Sequence, residues 1–159
     1  MRKIKKILIA LDYEPSAQRV AEIGQEIAKG LYAKVILLHI IADVVYYTST
    51  EYPPIMGFDG FNDTYIPPLN NNESLKKDAQ IFLNKTKEHL KDESIQTIIK
   101  DGNFAEEIVN TATDMNANMI IMGSHNRRGL DKLLLGSVAE KVLHLSSIPV
   151  LIIPTNEQK

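Results

Sequence analysis

The seven residues Val35-Ile-Leu-Leu-His-Ile-Ile41 are apolar almost without a break. A run this short, with no alternation that would leave one side for water, reads as a strand buried on both faces. Ile7-Leu-Ile-Ala-Leu11, Met119-Ile-Ile-Met122 and Val150-Leu-Ile-Ile153 repeat the pattern, and Ile95 to Lys100 is a weaker fifth candidate. Between these runs the apolar residues fall at helical spacing: Val20, Ile23, Ile27 and Leu31; Leu75, Ala79, Phe82, Leu83 and Leu90; Ile108, Val109 and Ala112; Leu134, Val138, Val142 and Leu145. The order is β-α-β-α-β-α-β-α-β. Right-handed crossovers then predict an α/β fold, a doubly wound five-stranded parallel sheet with helices on both faces. Asp101-Gly-Asn103 reads as a turn and helix cap, Gly30 as the close of the first helix, and Ser137-Val-Ala-Glu140 as a capping box that starts the last helix.

The 159 residues are 44% hydrophobic and 24% charged, a globular balance, and one domain over 1–159 is expected. A chain of 17.9 kDa hides roughly 70% of its unfolded surface on folding, so no staple is required. There is no Cys, which excludes thiol catalysis, thiolate metal sites and redox switching, and which fits a reducing, cytoplasmic setting. Eighteen Lys and Arg against twenty Asp and Glu leave a net charge of −2. No global field therefore recruits nucleic acid or an anionic membrane, and any anion site must be local. The basic lead Met1-Arg-Lys-Ile-Lys-Lys6 resembles a secretory n-region, but Asp12 cuts the following apolar run short. No run approaches the ~18 to 20 apolar residues that span a bilayer.

Residues from about 42 to 72 break the pattern. They hold Pro53, Pro54, Pro67 and Pro68 and the aromatic residues Tyr46, Tyr47, Tyr52, Phe58, Phe61 and Tyr65. A connection of that length is a lid, a binding loop, a dimer contact or an ornament pinned by its rings.

Ligands of open parallel sheets bind beyond the carboxyl ends of the strands, where the strand order reverses. The loop after the first strand, Asp12-Tyr-Glu-Pro-Ser16, has no glycine, and no Gly-x-x-x-x-Gly-Lys-Ser/Thr occurs in the chain. Dinucleotide dehydrogenases and P-loop ATPases are thereby unsupported. A phospho-accepting receiver would want Lys after the last strand, where Ile153-Pro-Thr155 stands instead. The fourth strand leads into Gly123-Ser-His-Asn-Arg-Arg-Gly129 and Leu130-Asp-Lys-Leu-Leu-Leu-Gly-Ser137. Small residues, local positive charge and a helix start beyond them have the make of a phosphate cradle.

These residues resemble the universal stress protein family, whose motif after the fourth strand is Gly-x-x-Gly-x9-Gly-Ser/Thr; here it reads Gly123-x-x-Asn126-x9-Gly136-Ser137. The flanking Met122-Gly-Ser-His, the stretch from Arg127 to Val142, Ile148-Pro-Val150, Ile7-Leu-Ile-Ala-Leu-Asp12 and Leu38-His-Ile40 are similar as well. The likeness runs from Lys6 to Pro154, excepting the aromatic loop.

The resemblance implies a Rossmann-like fold of the adenine nucleotide alpha hydrolase type that binds ATP or AMP. Carried over by position, Ala10 and Asp12 would line the adenosine side from the first strand end, and the backbone at Ile40 and Ile41 would meet the adenine edge. Met122, Gly123, Gly136, Ser137 and Val138 would surround the phosphates, with amide donors from the glycines, Ser137 and Val138 and the hydroxyl of Ser137. Arg127 would sit near the outer phosphates, and His125 could donate to one. Each has a plainer alternative: Asp12 capping its own turn, Arg127 and Arg128 as solvated charges. Asn126 departs from the motif. If the family glycine serves a positive φ, Asn is the best substitute and the penalty of ~1 to 2 kcal/mol is partly relieved; if phosphate packs on its Cα, the side chain obstructs the site or restricts it to AMP. Retained binding is the expectation.

His39 in a strand and His144 in a helix read as structural. No metal-ligand spacing occurs, so any Mg²⁺ would be held through the phosphates and water. No nucleophile has an adjacent base, and turnover would be at most a weak ATPase. The function expected is a regulatory, cytoplasmic, nucleotide-binding protein of the stress response. The rivals are a dimeric interaction module with a vestigial site and a slow ATP-hydrolysing or phosphoryl-transfer enzyme. The resemblance further implies a homodimer paired through the last strand, Val150 to Ile153.

Overall fold

The computed structural model describes residues 2–42, 72–124 and 135–155. The aromatic stretch, from residue 43 to 71, and the loop 125–134 with His125, Asn126 and Arg127 lie outside the described residues.

Five strands form one parallel sheet: β1 Lys6–Leu11, β2 Lys34–Ile41, β3 Gln96–Asp101, β4 Met119–Gly123 and β5 Val150–Ile153. Their order in space is β3-β2-β1-β4-β5. Among the described residues the helices are α1 Ala17–Leu31, α2 Asn72–Leu90, α3 Phe104–Asp114 and α4 Ser137–Leu145. The sequence pattern anticipates this architecture, including the weak β3.

The continuous apolar runs are explained by the two faces. In a strand successive side chains point to opposite sides, and both sides here are covered. Ile7, Ile9, Leu11, Val35, Leu37 and Ile121 pack with Val20 and Ala21 of α1 and with Phe82 and Leu83 of α2. Leu8, Ile36, Leu38, Ile40, Ile120 and Met122 pack with Ala105, Ile108 and Ala112 of α3 and with Ala139 and Val142 of α4. Alternation is invisible in the sequence because neither face is polar.

The pairing also shows where the sheet opens. β1 pairs with β4 from Ile7 opposite Met119 to Ile9 opposite Ile121. Beyond that point β1 continues beside β2 as far as Leu11 opposite His39, and β4 beside β5 as far as Gly123 opposite Ile153. The two central strands part at their carboxyl ends, because the chain winds outward through β2 and β3 on one side and through β5 on the other. That parting is the reversal point at which such sheets take ligands.

Helix punctuation agrees with the sequence pattern in part. Asn103 caps α3, its side chain accepting the Glu106 N–H at 3.2 Å, after a turn in which Gly102 takes φ 136°. Two expectations need correction. Gly30 lies inside α1, and the closing residue is Tyr32, left-handed at φ 55° and donating its N–H to Ala28 and Lys29 carbonyls. Ser137 does not cap α4; the N-cap is Gly136, with no side-chain cap bond. The spacing to Glu140 is right for a capping box, but Ser137 is already the first helical residue.

The end of α1 offers a stability test. A Cβ at Gly30 would meet nothing within 4 Å, so Gly30→Ala should stabilise the fold by about 1 kcal/mol, the helix-interior cost of glycine. Tyr32 is 96% exposed, and Tyr32→Gly should add about 1 kcal/mol by removing a left-handed side chain. Urea unfolding of the two variants checks both, and a lower midpoint for either rejects the corresponding account.

Candidate functional site

Where β1 and β4 separate beyond Ile9 and Ile121, the candidate crevice lies at the carboxyl ends of the strands, and the start of α4 is joined to the end of β4 by the hydrogen bond from Gly136 N–H to Ser124 O. Ala10, Ile40, Met122 and Val138, from four elements, all belong to the α3 and α4 side of the sheet. Ile40 and Met122 are buried, whereas Ala10 and Val138 are half-buried at the rim. Ile41, one residue beyond Ile40, turns its side chain to the opposite face, against Leu75 and Ala79 of α2. Its carbonyl accepts the Gly102 N–H at 3.2 Å.

Asp12 follows β1 directly. Its Oδ1 accepts the Glu14 N–H at 3.1 Å, the local turn that a short acidic side chain favours after a strand. The plainer alternative for Asp12 is therefore present, and it leaves the carboxylate at the strand end.

At the other wall Gly123 ends β4, and Gly136 caps the start of α4. The first amides of a helix have no acceptor within it. Glu140 is the first to close a turn, donating to Gly136 O at 3.0 Å. The amides of Ser137, Val138 and Ala139 have no acceptor among the described residues, and the positive end of the helix dipole is with them. The amide of Gly136 is engaged: it donates to Ser124 O at 2.7 Å. Of the donors expected from the sequence, the amides of Ser137 and Val138 have no acceptor among the described residues, the Gly136 N–H donates to Ser124 O, and His125, Asn126 and Arg127 are outside the described residues.

Two polar groups at the ends of β2 and β4, each inside a stretch similar to the family, make contacts that the sequence does not specify. His39, on β2, is 3% exposed, and its Nδ1 lies 2.9 Å from Leu11 O. Its ring packs on Tyr13, with centroids 4.3 Å apart, and edge-on to Phe82. Among the described residues its Nε2 has no hydrogen-bond partner. Burial pushes the His39 imidazole below its ordinary value of 6.5, against the hydrogen bond to Leu11 and the charge of Asp12. The imidazole is thus neutral, with Nδ1–H donating, and it secures the last carbonyl of β1. The second group is Ser124, whose N–H donates to Ile153 O at 2.9 Å. Away from the crevice, His89 of α2 meets Glu22 of α1 at 2.7 Å, and His144 is exposed in the last turn of α4. Among the described residues no three His, Cys, Asp or Glu are grouped to hold a metal, and no helix is long and apolar enough to cross a membrane.

A five-stranded parallel sheet in the order β3-β2-β1-β4-β5, parted at its reversal point and covered by helices on both faces, defines a doubly wound, Rossmann-like α/β protein. Residues 3–154 match the family model described as the universal stress protein family, and the chain belongs to that family. It is 34% identical over 155 residues to universal stress protein MJ0577 of Methanocaldococcus jannaschii, covering 94% of each chain. It is 31% identical over 150 residues to universal stress protein YxiE of Bacillus subtilis, covering 93% of this chain and 97% of that one. The solved structure of MJ0577 superposes with a TM-score of 0.70 at 29% identity over 99% of this chain and all of that one. At the level of fold, a universal stress protein solved in complex with cAMP gives a TM-score of 0.64 at 20% identity, covering 98% of this chain and 100% of that one. One from Archaeoglobus fulgidus in complex with dAMP gives 0.58 at 18%, covering 96% of this chain and 99% of that one.

The buried histidine sets a pH dependence. The unfolded chain binds a proton at this residue below its ordinary 6.5 and the folded chain resists it, so its contribution is complete above that pH and is lost as the pH falls below it. Urea midpoints should drop between pH 7.5 and 5.5. His39→Asn keeps a donor near the Nδ1 position without titrating, and should flatten that slope while lowering stability at neutral pH. An unchanged slope in the variant would show that another group titrates.

Proposed function

We propose that this universal stress protein binds an adenine nucleotide, ATP or AMP, in the crevice between β1 and β4, and that binding serves a regulatory role in the stress response in the cytoplasm. The observation that carries the reading is the row of amides at Ser137, Val138 and Ala139, which have no acceptor among the described residues and begin beside the end of β4, where Gly136 N–H donates to Ser124 O. Backbone donors and a helix dipole there suit phosphate oxygens. A base and ribose would lie against Ala10 at the rim and the backbone at the end of β2, Ile40 and Ile41, near the Asp12 carboxylate. That relatives were solved with cAMP and dAMP supports an adenine compound as the ligand class. Mg²⁺, if it accompanies ATP, would be held through the phosphates and water.

The residues fit such a ligand without His125, Asn126 or Arg127 being invoked. Gly136 is assigned the task of capping α4, and Ser137 supplies both an amide and a hydroxyl. A vestigial site is favoured by one observation, the engagement of the Gly136 N–H by Ser124 O, which removes a donor from the count. Asn126→Gly separates the two readings: it should change nucleotide affinity little in a working site and create binding in a vestigial one.

The same proposal includes a homodimer through β5. This strand ends the sheet order, and Val150, Leu151 and Ile152 are only half-buried. A bare apolar edge is an association hazard unless it is paired, and light scattering should read twice the 17.9 kDa chain mass.

Calorimetry tests the ligand. ATP or AMP should release or absorb heat at or below millimolar concentration. Ser137→Ala should weaken affinity about tenfold, the loss of one hydrogen bond to a charged group. Ala10→Leu, which fills the rim, should abolish binding with the fold intact by circular dichroism. Absence of heat with ATP, ADP and AMP alike removes the proposal.

A further inference from the structure

Ser124 ties three chain ends together at the mouth of the crevice. Its N–H donates to Ile153 O at 2.9 Å, and its carbonyl accepts the Gly136 N–H at 2.7 Å. Its Oγ accepts the Thr155 N–H at 3.1 Å and lies 3.2 Å from Thr155 Oγ1. The first two bonds use backbone that any residue could offer. The last two need a hydroxyl. Through them the residue that leaves β4 is fastened to the segment that leaves β5, and the orientation of the Ser124 peptide is set. That peptide's carbonyl is the acceptor for Gly136, and Gly136 is the cap from which α4 starts.

We propose that Ser124 is the positioning residue of the anion subsite: acting through Gly136, it aims the amides of Ser137, Val138 and Ala139 without itself meeting the ligand. The inference rests on the nucleotide reading above. Its physical content is preorganisation. Donors that already converge spare the ligand the cost of ordering them, and the saving is felt only by a ligand that has a phosphate to place. Ser124 therefore sets the preference for nucleotide over nucleoside, and does so from outside the contact surface. It also gives a use to the Gly136 amide that the family motif by itself does not suggest.

The experiment pairs calorimetry with amide exchange followed by NMR on the intact chain. In Ser124→Ala, ATP and AMP affinity should fall about tenfold while adenosine affinity stays within about twofold. Ser124→Thr, which keeps the hydroxyl, should recover most of the loss, and Thr155→Val, which removes one of the two hydroxyl contacts, should fall between. In the unliganded protein the Gly136 and Thr155 amides should exchange about tenfold faster in Ser124→Ala, with the Ile121 amide in the sheet unchanged. Equal losses for ATP and adenosine, or unaltered exchange at Gly136, overturn the proposal. A wild-type protein that binds no nucleotide, yet whose Gly136 exchange responds to Ser124→Ala, overturns the nucleotide reading and upholds Ser124 as the residue that fixes the start of α4.

Discussion

Backbone pairing between β1 and β4 ends at Ile9 and Ile121, and each strand then keeps only its outer neighbour. The cause is the winding of the chain. Right-handed crossovers carry β2 and β3 to one side and β5 to the other, so the two central strands are followed by chain that must leave in opposite directions. A gap opens there because nothing remains to bridge it. The elements that bound the gap then have backbone groups at their ends that the ladder no longer satisfies, and those groups are either tied up within the chain or available to a ligand.

Both outcomes occur. His39 secures the carbonyl of Leu11 on the β1 wall, and Ser124 secures Ile153, Gly136 and Thr155 on the β4 wall. The carbonyl held by His39 is buried and would be costly to leave unpaired, whereas the Ser124 side-chain contacts are part-buried. The amide row at the start of α4 is the part without such a partner among the described residues. A site of this kind asks little of side-chain chemistry, and it agrees with a family motif of glycines and a serine rather than acids or bases.

Much of the fold is legible in the residues. Four uninterrupted apolar runs announce strands covered on both sides, and even β3, with its polar Gln96, Thr97 and Lys100, lies in register beside β2. The differences are local and of one kind. Glycine often stops a helix, which marks Gly30 as a stop, yet Tyr32 takes the left-handed turn. Glu140 makes Ser137 look like a cap, yet Gly136 fills that place. In both cases the terminus lies one or two residues away from the favoured residue type, within the span over which helix ends fray and local backbone hydrogen bonds rather than residue type alone mark the last turn. Around the candidate site, motif and strand position single out Ala10, Ile40, Met122 and Val138, and the fold sets all four on one side of the sheet. Ile41 faces away from them, as the alternation of side chains along a strand requires.

Element order, sheet type and family membership come from periodicity and motif, which are properties of neighbouring residues and so survive in a linear string. The engagement of individual donors does not. Leu11 and His39 are 28 residues apart, and Ser124 and Thr155 are 31; no local pattern records that such pairs meet. Which amides at the head of α4 are spent within the chain depends on where distant chain ends converge, and only the folded arrangement decides that.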